Sequence, residues 1–239
     1  MRVVIVSPPK SGNHWIKCLL GHTYGLKELA ARAKPLGSPA EVQASLANGT
    51  VPDNAVFHQH SRFTSDLADA LESSGVQIVT IVRDPYDVFV SLFAWVQNRA
   101  THEGAPTTAR PRDTLIGKPI DHPDVLGYLA SEFETNISRA NQWLHSGRAV
   151  VVRYEGLHQD PVAELTRATE QIAPVSPKRI TDAIEACRAE NMRQRSKKSA
   201  WHIRAAKVGD SKERLTDAHL AVFRRQYGDS IRSLGYEVR

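Results

Sequence analysis

Lys10, Ser11 and Gly12 stand between an apolar β-branched run, Val3-Val4-Ile5-Val6, and a segment with Trp15, Ile16, Leu19 and Leu20 at helical spacing. A strand, a basic turn and a helix start in that order are a common way to build an anion site, and equally an ordinary strand–helix turn with a solvated lysine. The N–H groups at the helix start point outward, and the helix dipole adds to them. A glycine lets the backbone approach the ligand closely. A second cation, Arg83, leaves the end of the run VQIVTIV, and Asp84-Pro85 then open a helix that carries Ser91 two turns in. An arginine placed there either grips a phosphate with its forked donors or pairs with Asp84 or Asp87. A third basic group, Arg204, Lys207 and Lys212 around Gly209, is either a solvated loop or one that closes over an anion. Finally, His58 and His60 follow a short apolar run. An imidazole with an unperturbed pKa of about 6.5 suits proton transfer near neutrality.

These residues need a frame. Residues 2–7, 54–58, 76–82 and 149–154 read as strands, and 13–24, 64–73, 84–97, 124–145, 161–172, 177–190 and 217–233 as helices. Apolar strands alternating with helices predict an α/β domain with a central parallel sheet flanked by helices. In such a sheet the ligand lies beyond the carboxyl ends of the strands. The turns at 8–13, 58–62, 83–85 and 154–156 should therefore gather on one rim. Residues 25–53 read as short helices and loops. Residues 98–123, rich in Pro, Thr and Arg without a period, read as a long excursion of the lid or binding-loop kind. Residues 191–214 are basic and irregular.

The 239 residues suit one domain, 1–239, and the 41% apolar content supplies a core. A net charge of +5 favours a negatively charged ligand. The basic residues do not run in one block, so a nucleotide fits as well as a nucleic acid. No stretch reads as a membrane span, and a first strand at residue 2 or 3 leaves no room for a signal peptide. Cys18 and Cys187 both lie in predicted helices. They read as small buried side chains and not as a disulfide or metal pair, which fits a reducing, cytoplasmic setting.

Taken in order, four segments resemble the sulfotransferases that use 3′-phosphoadenosine 5′-phosphosulfate. PPKSGNHW is similar to their 5′-phosphosulfate loop, YPKSGTTW. VRDPYDVFVS is similar to their 3′-phosphate segment, with an arginine and a serine eight residues later. VVRYEGLHQDP resembles their strand-to-helix RYEDL…DP segment, and KVGDSKERLT their late RKGxxGDWKxxFT loop. The resemblance runs from residue 3 to 236. It implies the P-loop-like nucleotide-binding sulfotransferase fold. It also implies sulfuryl transfer from that cofactor to a hydroxyl of a small-molecule or natural-product acceptor (a phenol, alcohol or sugar), leaving adenosine 3′,5′-bisphosphate. Neither a metal, a nucleic acid nor a membrane partner is implied, and members often form homodimers.

Residue by residue, the resemblance gives Lys10 to the 5′-phosphosulfate and its bridging oxygen. Ser11, Gly12, Asn13 and His14 surround the 5′-phosphate, and Trp15 stacks on the adenine. Arg83 and Ser91 hold the 3′-phosphate, Tyr154 contacts the adenine, and Arg204, with Lys207 and Gly209 nearby, closes over the 3′-phosphate. Residues 98–123 become an acceptor-side loop or lid, and 191–216 a cofactor-closing loop. The family's base is a histidine some two dozen residues before its 3′-phosphate arginine. That position falls on His60, with His58 in reserve and a carboxylate such as Asp66 as a further alternative. Two departures stand out: the family's Arg-Lys-Gly is Arg204-Ala205-Ala206 here, and the tryptophan of GDWK is Ser211. The alternative reading is a P-loop small-molecule kinase or NTPase. That would call for a full Walker A loop, whereas Lys10 precedes the glycine, and for an acidic metal ligand at a strand end, where Arg83 stands.

Overall fold

A computed structural model describes residues 1–29, 36–103, 110–194 and 206–239. Five strands form one sheet: β1 (Arg2–Val6), β2 (Lys27–Glu28), β3 (Ala55–Gln59), β4 (Val76–Val82) and β5 (Val150–Arg153). Their order is β2-β3-β1-β4-β5, with every pairing parallel. The α/β expectation holds. Strands covered on both faces can be apolar throughout, which is why VVIV and VQIVTIV lack alternation yet are strands. Successive side chains still point to opposite faces. Val3 and Ile5 pack with Ile16 and Leu19 of α1 (Asn13–Tyr24) and with Leu165 and Ile180 from α8 (Pro161–Ile172) and α9 (Pro177–Ala186). Val4 and Val6 face Leu67 and Leu71 of α3 (Ser65–Ser73) and the buried Trp143 of α6 (Glu134–His145). A further aromatic core joins Phe89 of α4 (Pro85–Glu103), Phe133, and Phe223 of α11 (Asp217–Ser233). The remaining helices are α2 (Pro39–Ala47), α5 (Pro123–Ala130), α7 (Tyr154–Gln159) and α10 (Ala189–Gln194), with 3-10 turns at Pro111–Leu115 and Asp210–Glu213.

The register sets the rim. Val6 lies opposite Gln59, and Val82 opposite Arg153. The next residues, Ser7 to Lys10, His60, Arg83 and Tyr154, therefore emerge together at the carboxyl edge of the sheet.

Four expectations change. The single helix at 124–145 is two, α5 and α6. The Ser131 hydroxyl donates to the Gly127 carbonyl (2.9 Å), a local bond that competes with the helix, and Phe133 turns fully inward at the break. The helix at 177–190 ends at Ala186, with Cys187 as its cap, and α10 begins at Ala189. The excursion at 98–123 is shorter at its start, because α4 runs on to Glu103, and residues 111–115 form a 3-10 turn. Lastly, Cys18 and Cys187 form a disulfide, with Cα atoms 5.9 Å apart. Helices α1 and α9 pack together and carry the two sulfurs into contact, a tertiary fact that two cysteines 169 residues apart do not reveal. The inference of a reducing setting from two free thiols loses its basis. His22 lies beside the pair, its ligand atom within 4.8 Å of both sulfurs, but sulfurs bonded to each other are not thiolate ligands. No helix among the described residues is long and apolar enough to cross a membrane.

Candidate active site

The turn after β1 is built for close approach. Lys10 has φ 70° and Gly12 φ 112°, both left-handed. Gly12 caps α1, its carbonyl accepting from the N–H groups of Trp15 (2.9 Å) and Ile16 (3.1 Å). A Cβ on Gly12 would lie 2.7 Å from Tyr154 Cδ2 and 3.0 Å from Ile81 Cδ1. The turn is anchored below by Ser7, whose Oγ accepts from the Ile81 N–H (2.7 Å). It is braced within by Asn13, whose side-chain amide donates to the Pro8 carbonyl (2.8 Å). That amide, expected to face a phosphate, thus serves the turn itself. Ser11 and Asn13 are both buried, while His14 is exposed. The N–H groups of Trp15 and Ile16 go to Gly12, and a helix start leaves the N–H groups before them without a helical acceptor, the arrangement that binds anions.

Arg83 knots this turn to two others. Its Nη1 donates to the Lys10 carbonyl (3.2 Å) and its Nη2 to the Lys207 carbonyl (3.1 Å). Its guanidinium lies 4.1 Å from the centre of the Tyr154 ring. Asp87, one helical turn on and buried, approaches it at 3.6 Å. The same carboxylate accepts the N–H groups of Gly209 (2.7 Å) and Ser211 (2.9 Å), so it pins the 206–211 stretch to α4. Ser91 lies one further turn along α4 and is half-buried. The Lys207 ammonium is held by Glu213 and Asp210, each at 3.3 Å, and these contacts raise its pKa. Arg204 lies outside the described residues.

Trp15 and Tyr154 do come together, but as an edge-to-face pair with ring centres 5.7 Å apart. His158 completes the group, 4.8 Å from Trp15 and 4.7 Å from Tyr154. Burial, with Arg83 nearby, lowers its pKa. Sequence reading missed His158. Its one signal is its position four residues after Tyr154, which places both on one face of α7. Tyr154 itself is buried.

His60 is bonded to the same turn that carries Lys10. Its Nδ1 lies 2.6 Å from the Ser7 carbonyl, which only accepts, so Nδ1 carries the proton and Nε2 is the acceptor. Crowding by surrounding protein lowers its pKa to about 4, against the raising effect of the Ser7 bond. The cations of Arg139, Arg112 and Lys10 push it further down. The ring nevertheless keeps an exposed edge, so water offsets part of that depression. The imidazole is neutral at pH 7 and exposed at the sheet edge. His58 is buried, its ring 5.5 Å from His60 and 4.9 Å from His14.

A neutral imidazole, a lysine in the turn before α1 and an arginine tied to three chain segments thus lie along one edge of the sheet. The comparisons agree in kind. A family profile described as "Sulfotransferase domain" matches residues 1–235. Cytosolic sulfotransferase 14 of Arabidopsis thaliana is 29% identical over 114 residues, which is 40% of this chain and 33% of that protein. Cytosolic sulfotransferase 16 of the same plant is 24% identical over 185 residues, 70% of this chain and 51% of that protein. The chain thus spans between a third and a half of the length of these curated relatives. Among solved structures, mouse sulfotransferase SULT7A1 complexed with PAP superposes with a TM-score of 0.70 at 16% identity, covering 97% of this chain and 84% of that one. Retinol dehydratase in complex with androsterone and PAP gives 0.63 at 14% identity, covering 100% and 83%. At these identities the likeness speaks for the fold.

Proposed function

The chain belongs to the sulfotransferase domain family, and from that premise we propose that it moves a sulfuryl group from 3′-phosphoadenosine 5′-phosphosulfate to a hydroxyl of a small-molecule acceptor. The observation that carries this reading is that His60 is bonded to the turn that carries Lys10, close enough for the lysine's charge to act on the ring. The Ser7 carbonyl fixes the tautomer of the base, and the same turn carries the cation.

The residues fit the donor. Arg83 Nε is buried and without a hydrogen-bond partner beside a turn that already bares helix N–H groups, a deficit an anionic ligand would relieve. Bound there, the cofactor supplies the activated sulfuryl group and a phosphate that leaves readily. Lys10 and the first-turn N–H groups of α1 take up the negative charge that grows on the leaving phosphate. Such preorganised donors contribute most of the barrier lowering in transfers of this kind. His60 Nε2 accepts the proton of the attacking hydroxyl, while its Nδ1–H to Ser7 keeps the ring in place. Arg83, Ser91 and the Lys207–Gly209 stretch form the 3′-phosphate end, and Trp15, Tyr154 and His158 the aromatic end for adenine. His58 supports the position of His60, as ring packing from the interior.

The test is transfer of a sulfur-labelled sulfuryl group from the cofactor into organic product, with a mixture of phenols, alcohols and sugars as acceptors and EDTA present. Wild-type protein is expected to label product, and His60→Ala to label it at least about 100-fold more slowly, the usual weight of a general base, with affinity for adenosine 3′,5′-bisphosphate unchanged. Labelling that needs magnesium, or is untouched by His60→Ala, contradicts the assignment.

A further inference from the structure

Two guanidiniums whose charge acts on His60 make no ion pair among the described residues. Arg139 lies on α6 one turn before Trp143, whose indole N–H donates to the Ser61 carbonyl (2.9 Å). Residues four apart share a helix face, so Arg139 projects toward the 60–62 segment. Arg112, in the 3-10 turn 111–115, sits 4.9 Å from the centre of the Trp95 ring, one turn beyond Ser91 on α4. The two arginines therefore come toward His60 from different elements, α6 and the turn beside α4. Both act on the His60 ring as cations.

Both are half-buried, and the Nε of each is buried without a hydrogen-bond partner. Burial pulls both below the usual arginine pKa. Among the described residues neither makes an ion pair. Asp113, whose charge reaches Arg112, makes its direct contacts with the Arg99 guanidinium (3.4 Å) and the Arg110 N–H (2.9 Å). Beside Arg139 stands another cation, Arg62. Half-buried positive charge is costly unless something negative compensates it. Here that cost is carried twice beside one proposed base.

We infer that the acceptor is itself an anion, a hydroxylated molecule whose carboxylate, sulfate or phosphate Arg112 and Arg139 hold while its hydroxyl meets His60. This rests on the sulfuryl-transfer reading and narrows its acceptor class. The Trp95 ring under Arg112 adds an apolar wall, which suits an aromatic or otherwise flat acceptor body. The two arginines act on the acceptor and not on the donor, whose phosphates belong to Lys10, the α1 start and Arg83.

The test is calorimetry on protein saturated with adenosine 3′,5′-bisphosphate, with 4-hydroxyphenylacetate and its neutral methyl ester as matched probes. The acid should bind at least tenfold more tightly than the ester. Arg112→Met and Arg139→Met, which keep the aliphatic stem, should each erase most of that preference. They should leave affinity for the ester, the bisphosphate and the phosphosulfate as in wild type. Lysine at either position should restore part of the preference, which a merely structural role would not produce. Equal binding of acid and ester, no binding of the acid, or variants that weaken the phosphosulfate instead of the acid would each overturn the inference. Failure to bind the bisphosphate at all would instead sink the reading on which it rests.

Discussion

Asp87 and Arg83 are one helical turn apart and 3.6 Å from each other, but the carboxylate's hydrogen bonds go to the N–H groups of Gly209 and Ser211. Arg83 in turn spends its Nη atoms on the carbonyls of Lys10 and Lys207. Two charged side chains thus join three chain segments far apart in sequence. Asp87→Ala should cost about 3 kcal/mol of stability, as expected when one partner of a buried pair is removed. It should also weaken adenosine 3′,5′-bisphosphate about tenfold by freeing the 206–211 stretch. Denaturant titration and calorimetry check both; Asp87→Ala with wild-type affinity would separate that stretch from the cofactor.

Gly12 has no room for a side chain. At φ 112°, with Tyr154 Cδ2 2.7 Å from where a Cβ would stand, alanine pays in backbone strain and in a clash with a buried ring. We expect Gly12→Ala to lose about 2 kcal/mol in a urea melt, within the range for a strained residue. Bisphosphate binding should fall with it, because Tyr154 must shift under Arg83.

The Cys18–Cys187 bond closes a loop with a sequence separation of 169. In the chain-entropy account a loop that long is worth about 5 kcal/mol, through restriction of the unfolded chain. Thermal melts with and without a dithiol reductant should differ markedly for wild type and not at all for the Cys18→Ala, Cys187→Ala double variant. Identical wild-type melts would contradict this.

His60 sets the acid side of the reaction. Its pKa is lowered from 6.5 to about 4, and only the neutral ring accepts a proton. In the free enzyme kcat/KM should therefore hold from neutrality down past pH 6 and fall only as pH approaches 4. Folding follows the same sign. The unfolded histidine binds a proton below its ordinary value of about 6.5 and the folded one does not, so stability is complete above that pH and declines below it. His60→Gln should remove both features. An acid limb near 6.5 that survives His60→Gln would move the base elsewhere.

Most of the frame was legible, because parallel strands buried on both faces advertise themselves as apolar runs: β1 and β4 appear at the expected places, and α1 spans the residues expected of it. The helix break at 131–133 was not legible, since Val125, Leu129, Phe133 and Ile137 keep helical phase across it; the Ser131–Gly127 bond decides it locally. Lys10, Gly12 and Arg83 stood out in local order as one of two readings each, and the family resemblance, not spacing, singled out His60 over His58. Asp87, seen only as a partner for Arg83, hid its main task, since its acceptor role depends on N–H groups over a hundred residues away. The disulfide was invisible for the same reason, and His158 left only its spacing from Tyr154, since its contact with Trp15 joins distant segments.

The central claim is a metal-free site for a 3′,5′-bisphosphorylated adenosine built on Lys10. Calorimetric titration of adenosine 3′,5′-bisphosphate in EDTA, on wild type and Lys10→Ala, tests it most directly, with magnesium-ATP as the competing ligand. The bisphosphate should bind in the micromolar range without metal, at least about tenfold more weakly once the charge-assisted contact is lost, and magnesium-ATP should show no comparable affinity. Failure of the bisphosphate to bind while magnesium-ATP binds would contradict it.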